Sequence, residues 1–477
     1  MSEKPLWTLP ALVAATGGRV LGSSPAAIGG VSIDSRTIGA GEVFFAIKGE
    51  RVDGHAYVAV ALARGAALAV VAETKLSEMP QGALLVVADV LEALRALARA
   101  ARARTAAKII AVTGSVGKTG TKEALRHVLS REGETHASAA SHNNHWGVPL
   151  SLARLPERAR FGVFELGMNH AGEIAPLAQL VRPHVAIITA IEPVHLEFFA
   201  GIEAIADAKA EIFSGLERGG AAVLNRDNAQ FEHLAAAARA TGARVVGFGA
   251  HAAAEARLVD VALRPDGSAV HAVILGDEIT YKIGTPGRHI VENSLAVLAA
   301  AKLVGADLAL TALALARLQP PKGRGDRFRL ALGKGEALLI DESYNANPAS
   351  MRAALEVLGG APVGPRGRRI AVLGDMLELG REGEALHRGL AAPVEAAGID
   401  LVFCAGPLMR ALWEALPAAR RGGYAENAER IEAEVLAALR PGDTVMVKGS
   451  NGSRMGTIAA KLIERFRLGE PAEDATA

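Results

Sequence analysis

The segment 109–119 reads IIAVTGSVGKT, an apolar run that passes into Gly114, Ser115, Val116, Gly117, Lys118 and Thr119. Glycines at such spacing let backbone N–H groups turn toward an anion, and a helix beginning there adds positive potential. Lys118 can reach the terminal phosphates of a nucleotide, and the Thr119 hydroxyl can ligate Mg²⁺. A strict G-x-x-x-x-G-K-[ST] loop would carry glycine at position 112, where this chain has valine, so the motif is a shortened phosphate-binding loop. The alternative is a tight strand-to-helix turn with an exposed lysine.

Three more residues have types suited to phosphate chemistry. Glu165 ends the apolar run FGVFE, where a carboxylate could hold Mg²⁺ on a bound nucleotide or simply cap a helix. His195 stands in PVHLEFF, an apolar setting equally suited to a structural histidine. Lys209 lies on the stripe formed by Ile202, Ile205, Ile212, Phe213 and Leu216, counting roughly 100° per residue. A lysine there either snorkels to the domain edge or is buried, loses its proton and becomes a nucleophile able to add CO₂. The resulting carbamate would be an oxygen ligand for Mg²⁺.

Parallel α/β units would position these groups. Short β-branched runs alternate with Ala/Leu-rich helical segments, and the unusual residues follow the runs IIAV, FGVFE, VAIITAI and AAVLN. In open α/β sheets, ligands bind outside the carboxyl ends of the strands, so these segments can share one crevice. A second series, ALLID, RIAVLG, LVFCAG and TVMVKG, indicates another α/β unit able to close over the first. The basic stretch 99–108 and the Pro/Gly-rich LQPPKGRGD (318–326) mark boundaries. Three α/β domains are expected: 1–105, 106–318 with a phosphate-binding loop and parallel sheet, and 319–477 with a Rossmann-like arrangement. The polar tail from about residue 468 is expected to be disordered.

The chain has 477 residues, of which 50% are hydrophobic, enough for several cores. Its net charge of +1 argues against electrostatic nucleic-acid binding and favours small-molecule partners. The lone Cys404 fits a buried position in a reducing compartment. The N-terminal segment lacks a signal-peptide core, and no apolar run approaches the roughly 20 residues of a membrane span. A cytoplasmic protein is expected.

Together these residues resemble the ATP-dependent Mur ligases, which form amide bonds in peptidoglycan precursors. The similarity covers nearly the whole chain. SIDSRTIGAGEVFFAIKGERVDGH resembles the family's UDP-binding segment, and TGSVGKT, NNHWGVP, FELGMNHAGEI, DAKAEIF and PGRHIVENSLA resemble its central motifs. GRGDRF, SYNANP and GDMLELG are similar to the branch that adds D-alanyl-D-alanine. The resemblance implies a UDP-sugar-binding first domain, ATP and two Mg²⁺ ions. Thr119 and Glu165 would hold one ion, with His195 and carbamylated Lys209 holding the other. Gly114 to Thr119 would cradle phosphates, Asn293 would contact adenine, and Arg324 and Asp341 would approach from the third domain. Ser35 and Arg36 would meet the UDP-sugar. Asn143 and Asn144 would line the peptide's path, and Tyr344, Asn345 and Asn347 would lie near the closure surface. The implied reaction joins UDP-N-acetylmuramoyl-tripeptide to D-alanyl-D-alanine through an acyl phosphate, and a monomer is implied. The rivals are another branch, adding diaminopimelate or lysine, folylpolyglutamate synthase, and a non-catalytic nucleotide switch.

Overall fold

The computed structural model describes residues 5–50, 52–139, 142–193 and 197–466. His195 and the tail expected to be disordered therefore lie outside the described residues. Three large sheets follow one another along the chain, beside a two-stranded one of Trp7–Thr8 with Ala27–Ile28. In the first, Leu84–Val87, Leu68–Ala72, Glu42–Phe45 and Gly30–Ser32 run parallel, with Arg19–Leu21 added antiparallel at the edge.

The helix Val90–Arg104 leads out of this sheet. Asp89 caps it by accepting the Glu92 amide, and Leu94, Leu97 and Ala101 form its buried stripe. That stripe packs on Val31, Val43 and Val70 of the first sheet and also on Leu150 and Ala153 of the central domain. At its far end, Arg102 donates to the Val181 and Arg182 carbonyls at 2.8 Å. The helix thus ties the first two units together through a shared core.

The central sheet has nine strands. Six of them, in the spatial order Arg244–Gly249, Ala221–Asn225, Val185–Ile188, Lys108–Thr113, Phe161–Glu165 and Thr135–Ala137, run parallel. The connection from Phe161–Glu165 to Val185–Ile188 passes over Lys108–Thr113, so the direction of sheet growth reverses beside the glycine loop, as at the ligand crevices of other open α/β sheets. Ala256–Arg264 continues the parallel set, and Gly267–Ile274 and Asp277–Ile283 then return as antiparallel hairpins. This meander departs from the uniformly parallel sheet expected. The alternation along Gly267–Ile274 and the short turns at Pro265–Asp266 and Leu275–Gly276 are hairpin signals.

The third sheet has the order Asp326–Leu332, Gly335–Glu342, Thr444–Lys448, Arg369–Gly374, Leu401–Ala405 and Arg421–Ala425, parallel except for its first hairpin. Cys404 is buried in its core. This unit touches the central one at several places. Arg327 Nη1 donates to the Pro265 carbonyl at 2.6 Å, and Gly380 lies against the Glu197 backbone.

Candidate functional site

Strand Lys108–Thr113 is buried beyond its first residue and pairs on both sides, which fixes where the glycine loop begins. Val112, at the position of the absent glycine, is an internal strand residue paired with Glu165 and Ile187. The turn is made instead by Gly114 at φ +145° and Gly117 at φ +82°. Both need to be glycine. A Cβ at Gly114 would stand 2.0 Å from Thr189 Oγ1, and one at Gly117 would stand 2.8 Å from Asn293 Nδ2. Asn293 therefore presents its amide directly to the loop.

The loop is anchored from the end of the next strand. The Ser115 amide donates to the Ala190 carbonyl at 2.8 Å, Ser115 Oγ accepts the Glu192 amide at 3.0 Å, and the Thr189 hydroxyl donates to the Val116 carbonyl. Lys118 and Thr119 begin the helix Lys118–Leu129, whose first N–H groups lack intrahelical acceptors. Lys118 folds back over the loop and donates to the Gly114 carbonyl at 2.6 Å and the Ser115 carbonyl at 3.4 Å. Burial lowers its pKa. The Glu165 carboxylate opposes that shift, and the nearby Arg324 cation adds to it.

Thr119 Oγ1 donates to Glu165 Oε2 at 2.9 Å, and Asn143 Nδ2 donates to Glu165 Oε1 at 2.8 Å. Glu165 is 1% exposed. A hydroxyl and a held carboxylate are hard oxygen donors suited to Mg²⁺. Among the described residues no cluster of three His, Cys, Asp or Glu forms a further metal site.

Lys209 is 2% exposed, in the last turn of the helix Ile202–Ala210, which tightens at once into the 3₁₀ turn Glu211–Gly215. Burial pushes its pKa far down, and the like charge of Lys118 pushes it the same way. Of the stripe residues, Ile205, Ile212 and Phe213 are buried, whereas Ile202 is exposed.

Arg324 stacks over the Tyr344 ring, 4.2 Å from its centroid. Its effect on Lys118 brings a third-domain charge to the central loop. Asp341 is buried at the end of Gly335–Glu342 and accepts the Ser343 amide at 3.0 Å. Asn345 spends its side-chain oxygen on the Ala346 amide, and Asn347 caps the helix Pro348–Gly359 in a reciprocal box with Ser350. Asn144 accepts the Gly147 amide at 2.9 Å, while Ser35 and Arg36 follow strand Gly30–Ser32, with Arg36 clamped on Asp34.

Several residues with roles here escaped the sequence reading. Thr189 braces the loop, and its position at the end of an apolar strand was the available signal. Buried Lys122 donates to the Ser138 carbonyl at 2.8 Å, and the Ser138 hydroxyl accepts the Glu165 amide at 3.4 Å. Lys448, buried at the end of Thr444–Lys448, pairs with Glu342 at 3.3 Å and donates to the Asn345 carbonyl at 3.0 Å. In sequence Lys122 does not differ from a surface cation, whereas Lys448 closes the apolar run TVMVKG.

Family models match three consecutive segments: "Mur ligase family, catalytic domain" at residues 27–105, "Mur ligase middle domain" at 112–301, and "Mur ligase, glutamate ligase domain" at 326–451. The chain is 36% identical to UDP-N-acetylmuramoyl-tripeptide--D-alanyl-D-alanine ligase of Escherichia coli, an alignment covering 91% of this chain and 93% of the relative. Among solved structures, it superposes on UDP-N-acetylmuramoylalanyl-D-glutamyl-2,6-diaminopimelate--D-alanyl-D-alanyl ligase from Acinetobacter baumannii with a TM-score of 0.81. Identity is 31%, over 96% of this chain and 98% of that one. MurF ligase from Thermotoga maritima in complex with ADP gives a TM-score of 0.74 at 25% identity, over 91% and 97% of the two chains.

Proposed function

Because the chain belongs to the Mur ligase family and is an ATP-dependent ligase of peptidoglycan precursor synthesis, we propose that it joins D-alanyl-D-alanine to the terminal carboxylate of UDP-N-acetylmuramoyl-tripeptide. The carrying observation is the buried Thr119–Glu165 pair beside Lys118 at the mouth of the glycine loop. The relatives' names supply the substrates.

A carboxylate resists nucleophiles because it is negatively charged and oxide is a poor leaving group. ATP removes the obstacle. A substrate carboxylate oxygen attacks the γ-phosphorus, the bond to ADP breaks, and an acyl phosphate forms. The amine of D-alanyl-D-alanine then attacks the carbonyl carbon, the C–O bond to phosphate breaks, and the amine gives up a proton. Lys118 would leave its two carbonyl partners for the phosphate oxygens and offset charge as the phosphoryl group moves. Thr119 and Glu165 would hold Mg²⁺, with Asn143 orienting the carboxylate; His195 and carbamylated Lys209 would hold a second ion. Bound there, the metal would spread the negative charge of the phosphates.

Asn293 beside Gly117 is suited to the base of ATP. Arg324 and Asp341 would complete the nucleotide site from the third domain, and Tyr344, Asn345 and Asn347 would form the facing wall, where the latter two brace the loop. Asn144 would border the peptide, and Ser35 and Arg36 would meet the UDP-sugar. The domains would divide at about 105 and 318. No described helix is long and apolar enough to cross a membrane, and we place the enzyme in the cytoplasm as a monomer. Phosphate release with UDP-muramoyl-tripeptide and ATP, measured across D-alanyl-D-alanine, D-glutamate, lysine and diaminopimelate, tests the reading. Release driven by any acceptor other than D-alanyl-D-alanine would assign another branch. ATP binding with no acceptor-dependent release would indicate a switch.

A further inference from the structure

A cavity of about 620 Å³ lies between the helix Val90–Arg104 and the central domain. Its volume falls within the range of roughly 300–1,000 Å³ that holds small ligands. One wall carries Arg95 and Arg99, a helical turn apart, and the facing side combines apolar Pro149, Leu177 and Leu180 with the Glu173 carboxylate. The two guanidinium groups share a single carboxylate. Arg99 Nη2 lies 2.5 Å from Glu92 Oε1 and Arg95 Nη1 lies 3.6 Å from Oε2, with both arginine side chains substantially open, at 56% and 39%, while Glu173 already accepts the Asn169 amide at 2.8 Å.

The cavity also reaches the reacting centre. Gly167 lines it and packs so tightly on Asn143 that a Cβ would approach the Asn143 amide to 2.7 Å, and that amide holds Glu165. A group in the cavity is therefore separated from the carboxylate assigned to Mg²⁺ by Gly167 and Asn143. The charged, partly apolar chamber suits an acidic side arm with an aliphatic stem, since arginine forks match carboxylates in two-point hydrogen bonds.

We infer that Arg95 and Arg99 bind the unreacted carboxylates of the peptide substrate, an inference that rests on the tripeptide reading above. The Acinetobacter relative's name specifies a glutamyl and a diaminopimelate residue. A glutamyl residue joined through one carboxyl keeps the other free, and diaminopimelate keeps a second when its first is activated. These are the anions nearest the reacting end. The diphosphate belongs with the distant sugar.

The test compares wild type with Arg95→Gln, Arg99→Lys and the Arg95→Gln/Arg99→Gln double variant, all checked for cooperative unfolding. Steady-state rates use the tripeptide substrate and its counterpart amidated at the glutamyl carboxylate. The expected result is a KM for tripeptide raised tenfold or more in the double variant, with the KM for ATP unchanged. Amidation should weaken wild type and leave the double variant unaffected. The single variants, which preserve more of the helix surface, should show the same direction if the double variant does not fold. An unchanged tripeptide KM, or an equal amidation penalty in both proteins, overturns the inference while leaving the ligase reading intact. Loss of competitive inhibition by UDP in the double variant also overturns it, because the arginines would then hold the diphosphate. Failure of wild type to release phosphate with tripeptide and D-alanyl-D-alanine would remove the reading itself.

Discussion

The Thr119 hydroxyl and the Glu165 carboxylate meet at 2.9 Å, joining the first turn of the loop helix to the end of the neighbouring parallel strand. The pairing register places Glu165 opposite Val112, two residues before the loop. The sheet therefore sets this distance. Replacing Glu165 with Gln keeps the shape and removes the charge. Phosphate release should fall by about two to three decades, the scale for one preorganised electrostatic contact. Binding of Mn²⁺ with ADP, followed by electron paramagnetic resonance, should weaken in parallel. Normal Mn²⁺ binding in a folded variant would detach Glu165 from the metal.

Asn143 offers a sharper distinction. The resemblance implies a place on the peptide's path, whereas its side-chain amide donates to Glu165 Oε1. If its main role is to orient the carboxylate, Asn143→Ala should lower kcat about 10- to 100-fold, the usual scale for a residue that holds a metal ligand. The KM for tripeptide should change little. A raised tripeptide KM with normal kcat would return Asn143 to substrate contact.

Lys118 presently holds the Gly114 and Ser115 carbonyls, at the concave side of its own loop. Lys118→Ala should leave unfolding midpoints nearly unchanged, because those bonds stay within one turn, yet cut phosphate release by roughly two to three decades. Near-normal turnover in this folded variant would exclude the loop as the catalytic phosphate site.

Local patterns carried much of this site. Gly114, Gly117, Lys118 and Thr119 are adjacent in sequence, so their chemistry is legible without a fold. Glu165 could be recognised because parallel strands deliver their ends to one edge. The helical stripe left Lys209 either snorkelling or buried, and the fold buries it, while exposed Ile202 shows the stripe ending earlier than expected. Contacts across domains were not legible. The approach of Arg324 to the loop came only from the family resemblance, and the cavity between Arg95 and Leu177 depends on how separate units pack, which no local period encodes. The antiparallel meander was visible in alternation and turns but was masked by the α/β pattern around it.

Acid stability should report His136. Its Nε2 lies 2.7 Å from the Ser151 carbonyl, and burial lowers its pKa from 6.5 to about 4. The folded protein then binds fewer protons than the unfolded chain, so this residue's contribution is intact above pH 6.5 and is lost as pH falls toward 4. At roughly 1.4 kcal/mol per unit, the loss is about 3 kcal/mol at most. His136→Gln keeps a donor for Ser151 without titrating. Urea unfolding at pH 7, 5.5 and 4.5 should show wild type losing stability relative to the variant across that interval. A constant difference would mean the imidazole has the same pKa in the fold as in the unfolded chain.

Lys209 separates catalysis from packing. Its burial and the adjacent Lys118 favour the neutral amine, whose lone pair can attack the carbon of CO₂ and release one proton to form a carbamate. Lys209→Met fills similar space without the nitrogen. In CO₂-free buffer the variant should be more stable than wild type near neutral pH, because the unfolded lysine binds a proton that the folded one lacks. That advantage should shrink as pH rises toward 10.5. Turnover should follow the opposite course. It should be nearly abolished in the variant, partly restored in Lys209→Ala by acetate, and dependent on bicarbonate in CO₂-depleted wild type. A ¹³C carbamate resonance from labelled bicarbonate, present in wild type and absent from the variant, would identify the group independently of activity. Full activity in Lys209→Met, or no such resonance in active wild type, would reduce Lys209 to a core residue.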